Sequence, residues 1–207
     1  MSSFFQESVR KALNKVFKCF RTKSKRGILF WWPADVHISK KASIVVDNHF
    51  ELNKPWNIRN KCSLGSYSIS NSGSLHVGKV DIYSGRTLAI SGQFSMKSGY
   101  INTNSKIFCR NRITIGEGAA IAPEVIIRDS DQHQILSAEH GAQKPISAPI
   151  SIGDHVWIGT RAIILKGVSI GNHVIIAAGS VVTRDISDHC LAAGVPARII
   201  KTNVDWK

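Results

Sequence analysis

The chain has 207 residues, of which 43% are hydrophobic and 20% charged, and its formal net charge is +13. This length predicts one ordinary domain with room for a short extension, and the apolar share excludes a globally disordered chain. The sequence holds no run of about 18 apolar residues, so we expect no membrane-spanning helix. The four cysteines, Cys19, Cys62, Cys109 and Cys190, are far apart, which argues against a disulfide framework or a zinc ribbon and suits a reducing cytoplasm.

The N-terminal segment, residues 1–26, holds a large share of the positive charge. It contains eight basic residues and one acid, whereas the rest of the chain carries a much smaller excess of bases over acids. Apolar residues recur between these bases at helical spacing: Phe5, Val9, Leu13, Val16, Phe17 and Phe20. The pattern predicts a basic amphipathic helix over residues 1–26, which contacts either an anionic membrane surface or the protein itself. We expect no secretory signal, because no continuous apolar stretch is present, and the moderately basic body does not indicate a nucleic-acid binder.

A six-residue repeat dominates the second half of the chain. Every sixth residue from position 152 is a β-branched aliphatic: Ile152, Ile158, Ile164, Ile170, Ile176 and Val182. The residue after each of them is mostly small: Gly153, Gly159, Leu165, Gly171, Ala177 and Thr183. Ile115, Ile121 and Ile127 form a second run, and a weaker run comprises Val77, Tyr83, Ala89, Ser95, Ile101, Ile107 and Ile113. A period of six fits no helix and predicts a parallel β-helix, with three hexads in each coil and each aliphatic pointing inward.

The repeat is interrupted between Ile127 and Ile152. The interval between these two residues is not a multiple of six, so residues 128–149 are expected to leave the coil as a loop. Loops held on a rigid scaffold often carry binding and catalytic residues. This loop contains His133 and His140, and Trp157 follows shortly after it. The loop and the coil beside it are therefore the candidate functional site.

Residues 113–201 resemble the hexapeptide-repeat acyltransferases, which are left-handed parallel β-helices that use acetyl-CoA. The resemblance is carried by the strings IRDSDQHQI (127–135), IGDHVWIGTRAIILKGVSIG (152–171), IIAAGSVVTRDI (175–186) and AGVPARIIK (193–201). The SDQH loop followed by VWIG is most similar to bacterial capsule and sialic-acid O-acetyltransferases. The resemblance implies an all-β domain, a left-handed parallel β-helix, over residues 27–207. It also implies a homotrimer with active sites between subunits.

The same resemblance implies roles for individual residues. His133 matches the family's general base, which would take the proton of an acceptor hydroxyl; the alternative is an ordinary surface histidine. Asp131 or Asp129 would orient its ring. Trp157 would lie beside the thioester, or else pack at a subunit interface. The implied CoA contacts, whose Lys and Arg members are either phosphate ligands or solvated surface charges, are Thr160, Lys166, Ala178, Thr183, Arg184, Arg198 and Lys201.

Three histidines are candidate metal ligands by residue type: His140, His155 and His173. No close histidine pair is expected to recur on one edge of the coil, so we predict no metal. His155 and His173 should occupy equivalent outer positions in successive coils, because they are three hexads apart and three hexads make one coil.

We therefore predict an acetyl-CoA-dependent O-acetyltransferase that modifies a sugar hydroxyl of a surface polysaccharide or glycan precursor. We expect a cytoplasmic enzyme that can contact the inner face of the membrane through residues 1–26. Three alternatives remain open. They are an N-acetyltransferase acting on an amino-sugar nucleotide, an acetyltransferase acting on a xenobiotic, and a non-catalytic β-helix that serves as an assembly module.

Overall fold

The computed structural model describes residues 28–30, 34–39, 42–54, 65–69, 73–83, 85, 87–134 and 145–207. The predicted helix over residues 1–26 and the loop residue His140 lie outside this described part. Within the described part, no helix is long and apolar enough to cross a membrane.

The secondary structure of the described residues consists of β-strands. Their bounds are β1 (Ile28–Phe30), β2 (Ala34–Ile38), β3 (Ser43–Lys54), β4 (Gly65–Ile69), β5 (Ser74–Tyr83), β6 (Thr87–Ile90), β7 (Gln93–Ile101), β8 (Lys106–Cys109), β9 (Arg112–Ile115), β10 (Ala119–Ile121), β11 (Ile126–Arg128), β12 (Ile150–Ile152), β13 (Trp157–Ile158), β14 (Ile163–Ile164), β15 (Ser169–Ile170), β16 (Ile175–Ile176), β17 (Val181–Val182), β18 (Cys190–Gly194) and β19 (Ala197–Thr202).

From β8 onward the strands wind as a coil with three faces. Face 1 contains β9, β12 and β15. Face 2 contains β10, β13, β16 and β18, and face 3 contains β8, β11, β14 and β17. Neighbouring strands within each face are parallel, and the chain closes with the antiparallel pair β18–β19. The predicted parallel β-helix is therefore confirmed as a parallel β-solenoid of stacked coils.

The aliphatic residues of the hexads stack in ladders inside the solenoid. On face 2, Ile121, Ile158 and Ile176 pair in register from coil to coil, and each has a relative exposure of 0%. Equivalent ladders line face 3 (Ile107, Ile127, Ile164, Val182) and face 1 (Ile115, Ile152, Ile170). Complete burial of one such side chain contributes about 1.5–3 kcal/mol relative to its exposure. Repetition of one shape along each face therefore builds a continuous core.

The small residue after the aliphatic on face 1 is required by the next coil. A Cβ on Gly153 would lie 2.5 Å from the Asn172 Oδ1 atom and 2.7 Å from the Gly171 carbonyl carbon. That Asn172 oxygen accepts the backbone N–H of Asp154 at 2.8 Å, so the amide side chain fills the space beside the glycine. A residue larger than glycine at this position would therefore clash with the next coil.

The weaker repeat in the N-terminal half predicted the wrong inward residues at three positions. Tyr83, Ala89 and Ser95 are only partly buried. The buried residues are their neighbours Ile82, Leu88, Ile90, Phe94 and Met96. Val77 pairs with Met96, which lies one residue further along the chain than three hexads would place it, so the six-residue phase slips. The extra residue arises because the long strands β5 and β7 continue around an edge of the coil without a break.

Candidate active site

The extruded loop begins after β11 and returns before β12. In a regular coil, Ile158 pairs with Ile176, three hexads further along the chain. Ile127 pairs with Ile164 instead, so the coil that carries the loop contains about twice as many residues as a regular coil. The base of the loop is closed by antiparallel contacts, because Ser130 bridges Ser147. The longer interval and the closed base agree with extra residues between β11 and β12, and the extrusion of residues 128–149 as a loop stays a prediction. Loop residues 135–144 lie outside the part of the chain that the structure describes.

Asp129 is buried at the start of the loop and holds the preceding turn. Its Oδ1 atom accepts the backbone N–H of Arg110 at 2.8 Å, and its Oδ2 atom accepts that of Asn111 at 2.7 Å. Its own carbonyl oxygen accepts the N–H of Ala148 on the returning arm at 2.9 Å. Both carboxylate oxygens are therefore bound to backbone, which makes Asp129 a structural residue. Burial, together with the charge of Asp129, raises the pKa of the neighbouring Cys109 thiol to about 12, so this thiol stays protonated.

Asp131 forms an ion pair with Lys166 and not with His133. The Lys166 Nζ atom lies 2.5 Å from the Asp131 Oδ2 atom and donates to the carbonyl oxygen of Pro145 at 2.6 Å. One ammonium group, from the turn that follows β14, thus contacts both arms of the loop. This contact gives Asp131 a partner other than His133, and its role in orienting the His133 ring stays a prediction. Among the described residues, His133 is exposed and makes no hydrogen bond through its imidazole.

Trp157 lies on the outer side of face 2, at the start of β13, and is 42% exposed. In register with it, Ile175, Leu191 and Lys201 follow on the next three strands. Neighbouring strands are about 4.7–4.9 Å apart, so this row is about 14 Å long. The row presents an indole, two half-buried aliphatics and a cation in that order. An extended ligand with an apolar arm and an anionic end would match this order of groups.

The other predicted cofactor residues are distributed over the solenoid. Thr160 and Ala178 lie at the edge where face 2 turns into face 3. Thr183 and Arg184 follow β17, at the edge where face 3 turns into face 1. Arg198 is on β19, where its guanidinium Nη1 atom donates to the preceding carbonyl oxygen at 2.9 Å. All five are exposed. One subunit therefore does not bring the seven predicted contacts to a single place.

A histidine stack runs along the edge where face 1 turns into face 2. His155, His173 and His189 occupy this edge in successive coils, with φ values of 54°, 55° and 54°. The centroids of the first two rings are 5.0 Å apart, and those of the last two are 4.6 Å apart. The predicted stacking of His155 and His173 is confirmed. The expectation that no close pair would recur on one edge was wrong, because His155 and His173 already form such a pair. The final coil is two residues shorter than three hexads and adds His189 to the same edge.

The C-terminal segment, residues 203–207, returns across this stack. The Trp206 indole stacks on the His155 ring at 4.3 Å, and its Nε1–H donates to the His155 carbonyl oxygen at 2.8 Å. Its ring centroid lies 6.1 Å from that of Trp157. Asp205 accepts the Trp206 backbone N–H at 2.8 Å, and this bond, with the contact to His173, lowers the pKa of Asp205. Sequence reasoning missed this segment, because a short stretch outside the repeat has no periodic signal.

The comparisons with known proteins agree with this fold. Residues 149–184 match the family model of the bacterial transferase hexapeptide (six repeats). The chain is 49% identical over 94 residues to a polysialic acid O-acetyltransferase of Escherichia coli O1:K1 / APEC, a match that covers 45% of this chain and 31% of the relative. It is 50% identical over 100 residues to nodulation protein L of Rhizobium meliloti (strain 1021), which covers 48% and 54%. The matched region thus spans between a third and about half of these curated relatives.

Solved structures of similar proteins share the solenoid. The polySia-specific acetyltransferase NeuO aligns with a TM-score of 0.67 at 23% identity, over 91% of this chain and 80% of that chain. The polysialic acid O-acetyltransferase OatWY aligns with a TM-score of 0.52 at 25% identity, over 89% and 90%. The fold and the repeat together define a hexapeptide-repeat β-solenoid. The predicted resemblance to the hexapeptide-repeat acyltransferases is confirmed, and the relatives of this chain include proteins named polysialic acid O-acetyltransferase.

For the acetyl-CoA-dependent transfer that the sequence predicts, replacing Lys166 by methionine is expected to lower the rate roughly tenfold while leaving the Kd for acetyl-CoA unchanged. The ammonium group is engaged by both arms of the loop, so its loss should displace His133, and small displacements of a reacting group are costly. Initial-rate kinetics and a calorimetric titration measure the two quantities. Arg184→Met is the matched control, because that exposed cation lies on the same edge and should raise the Kd if it binds phosphate. If Lys166→Met instead raises the Kd for acetyl-CoA and keeps the wild-type rate of transfer at saturating acetyl-CoA, Lys166 binds the CoA phosphates.

Proposed function

We propose that this chain is an acetyl-CoA-dependent O-acetyltransferase that modifies a sugar hydroxyl of a surface polysaccharide or glycan precursor. The observation that carries the proposal is the exposed imidazole of His133 on a loop that Asp129 and Lys166 fix to a hexapeptide coil. The names of two relatives, polysialic acid O-acetyltransferase and galactoside O-acetyltransferase, support a carbohydrate acceptor.

The proposed reaction is a single direct transfer. His133 accepts the proton of the acceptor hydroxyl as the oxygen attacks the carbonyl carbon of the thioester. The new C–O bond replaces the C–S bond, and the imidazolium returns the proton to the departing CoA thiolate. The proton of the hydroxyl therefore ends on the thiol of CoA. Proton transfer by one such positioned group typically accelerates a reaction by a factor on the order of 10² to 10⁴.

Face 2 supports a route for the cofactor. In this proposal Trp157 lies against the thioester, the half-buried Ile175 and Leu191 contact the apolar arm, and Lys201 approaches the phosphates. Thr160, Ala178, Thr183, Arg184 and Arg198 remain proposed contacts to other parts of CoA. An ammonium or guanidinium group beside a phosphate forms the stronger, charge-assisted class of hydrogen bond.

The proposal includes a homotrimer with active sites between subunits. His133 follows face 3, whereas Trp157 lies on face 2, and this separation along the coil supports a site that a neighbouring copy completes. Tyr100 and Trp157 are 38% and 42% exposed on the same face, which offers an apolar surface for such a neighbour. The basic segment 1–26 is proposed to bind an anionic membrane surface or polymer from the cytoplasmic side.

A calorimetric titration with acetyl-CoA tests the proposal first. We expect saturable binding near one site per chain, in protein whose mass in solution is that of a trimer. A panel of sialic-acid polymers, galactosides and amino-sugar nucleotides then identifies the acceptor. A product that loses its acetyl group in mild alkali is an ester, whereas an alkali-stable amide would indicate the N-acetyltransferase. No acetyl-CoA binding by folded, trimeric protein would favour the non-catalytic assembly module.

A further inference from the structure

We propose that His155, His173 and Asp205 bind one divalent transition-metal ion of the zinc class, which joins the C-terminal segment to the solenoid. The three residues come from two successive coils and from the segment that crosses them. The site lies on the histidine edge and contains none of the loop residues, so it stands independently of the acetyl-transfer proposal.

The donor atoms are already spaced as metal ligands. One donor atom from each of His155, His173 and Asp205 lies within 4.8 Å of the other two. The Asp205 Oδ1 atom is 3.2 Å from the His173 Nδ1 atom and 3.4 Å from the His155 Nε2 atom. Nitrogen and oxygen ligands about 2.0–2.1 Å from a tetrahedral zinc ion are separated by about 3.3–3.4 Å. Two edges of the donor triangle therefore have the required length before an ion binds.

The chain also offers a fourth ligand. The Trp206 carbonyl oxygen is 2.9 Å from the His155 Nε2 atom, which also lies 3.4 Å from the Asp205 Oδ1 atom. The side chains of His155 and His173 are 36% and 37% exposed, and that of Asp205 is 55% exposed. Solvent can therefore reach the donors, and a water molecule can complete the coordination.

The imidazoles are held in place by packing. The His155 ring lies between Trp206, stacked at 4.3 Å with an interplanar angle of 7°, and His173 at 5.0 Å. His173 stacks in turn on His189 at 4.6 Å. Rings that are fixed before binding lose little freedom when an ion arrives. Two imidazoles and one carboxylate match the ligands that zinc takes in proteins, whereas magnesium prefers oxygen ligands with several waters.

The test is a calorimetric titration of the full-length chain, without any affinity tag, with zinc chloride. We expect one zinc site per chain. The affinity for zinc should be at least tenfold weaker in both His173→Ala and Asp205→Asn, and a titration with magnesium should show no heat of saturable binding. His189→Ala is the matched control, because His189 stacks in the same row but is not one of the three proposed ligands. The affinity of this variant for zinc should stay within twofold of that of the wild type. Zinc at about 100 times the wild-type Kd should raise the Tm of the wild type by about 5–10 °C and that of Asp205→Asn by about half as much or less.

Cysteines are the competing zinc ligands, and cobalt distinguishes the two cases. Cys109 and Cys190 are buried free thiols, while Cys19 and Cys62 lie outside the described residues. Cobalt(II) bound by His155, His173 and Asp205 should show no thiolate-to-metal charge-transfer band, and Asp205→His should retain binding because it supplies another ligand. Any of three results would overturn the site. They are a thiolate band at the first equivalent of cobalt, a loss of zinc affinity in His189→Ala equal to that in His173→Ala, and a wild-type affinity for zinc in Asp205→Asn. The contacts of Asp205 would then be those of an ion pair alone.

Discussion

Replacing His133 by alanine is expected to lower the rate of acetyl transfer at least 100-fold while the Kd for acetyl-CoA stays within about twofold. A general base contributes 10²- to 10⁴-fold in order of magnitude, and 100-fold corresponds to about 2.7 kcal/mol of transition-state stabilisation. The imidazole is exposed and makes no hydrogen bond among the described residues, so its removal should not disturb the coil that binds the cofactor. Single-turnover kinetics and a calorimetric titration measure the two effects separately.

Gln132→Ala is the control for His133→Ala. Gln132 is the adjacent loop residue, is also exposed, and carries no group that can accept a proton from a hydroxyl near neutral pH. It should retain transfer within a few-fold of the wild type. An alanine variant of His133 that transfers acetyl as fast as the wild type would exclude the general-base role. Loss of acetyl-CoA binding in that variant would assign His133 to the cofactor site.

Replacing Asp129 by alanine is expected to lower the free energy of unfolding by about 3 kcal/mol. The substitution leaves the N–H groups of Arg110 and Asn111 without their acceptor at a position whose relative exposure is 0%, and each buried donor left unpaired costs about 1–3 kcal/mol. Urea unfolding at one protein concentration measures the loss. The corresponding fall in Tm is about 6–12 °C for a chain of this size. Acetyl transfer should fall as well, because Asp129 also bonds the returning arm of the loop through Ala148.

Asp185→Ala is the matched control for this effect. The Asp185 Oδ1 atom accepts the backbone N–H of Ser169 at 2.7 Å, but Asp185 is exposed, so water can replace the carboxylate. Its loss should cost less than about 1 kcal/mol. Asp129→Asn should fall between the two, since it retains one acceptor and turns an amide NH₂ towards the second N–H. Equal stability of Asp129→Ala and Asp185→Ala would show that the turn at Arg110 does not depend on the buried carboxylate.

The architecture of the C-terminal half could be predicted from spacing alone, and that of the N-terminal half only in part. A coil of three hexads repeats the same side-chain environment every six positions, so Ile158, Ile176 and their equivalents carry the period in the sequence. The N-terminal coils contain long strands, such as β3 and β5, that pass around an edge, and each added residue shifts the phase. Tyr83 and Ser95 therefore appeared to be core positions although their neighbours fill the core.

The sequence by itself determined the solenoid, the extrusion of the loop and the presence of His133 on it, because each follows from counting residues along a regular repeat. It could not determine the partners of the carboxylates. Whether Asp131 meets His133 or Lys166 depends on which coil lies beside the loop, and the observed pair joins residues that are distant along the chain. Only the tertiary structure brought Asp205 to His155 and His173, since the chain must close a shortened final coil, reverse at β19 and cross the edge again. Local periodicity reports the path of the backbone, whereas contacts between distant side chains exist only once that path has been completed.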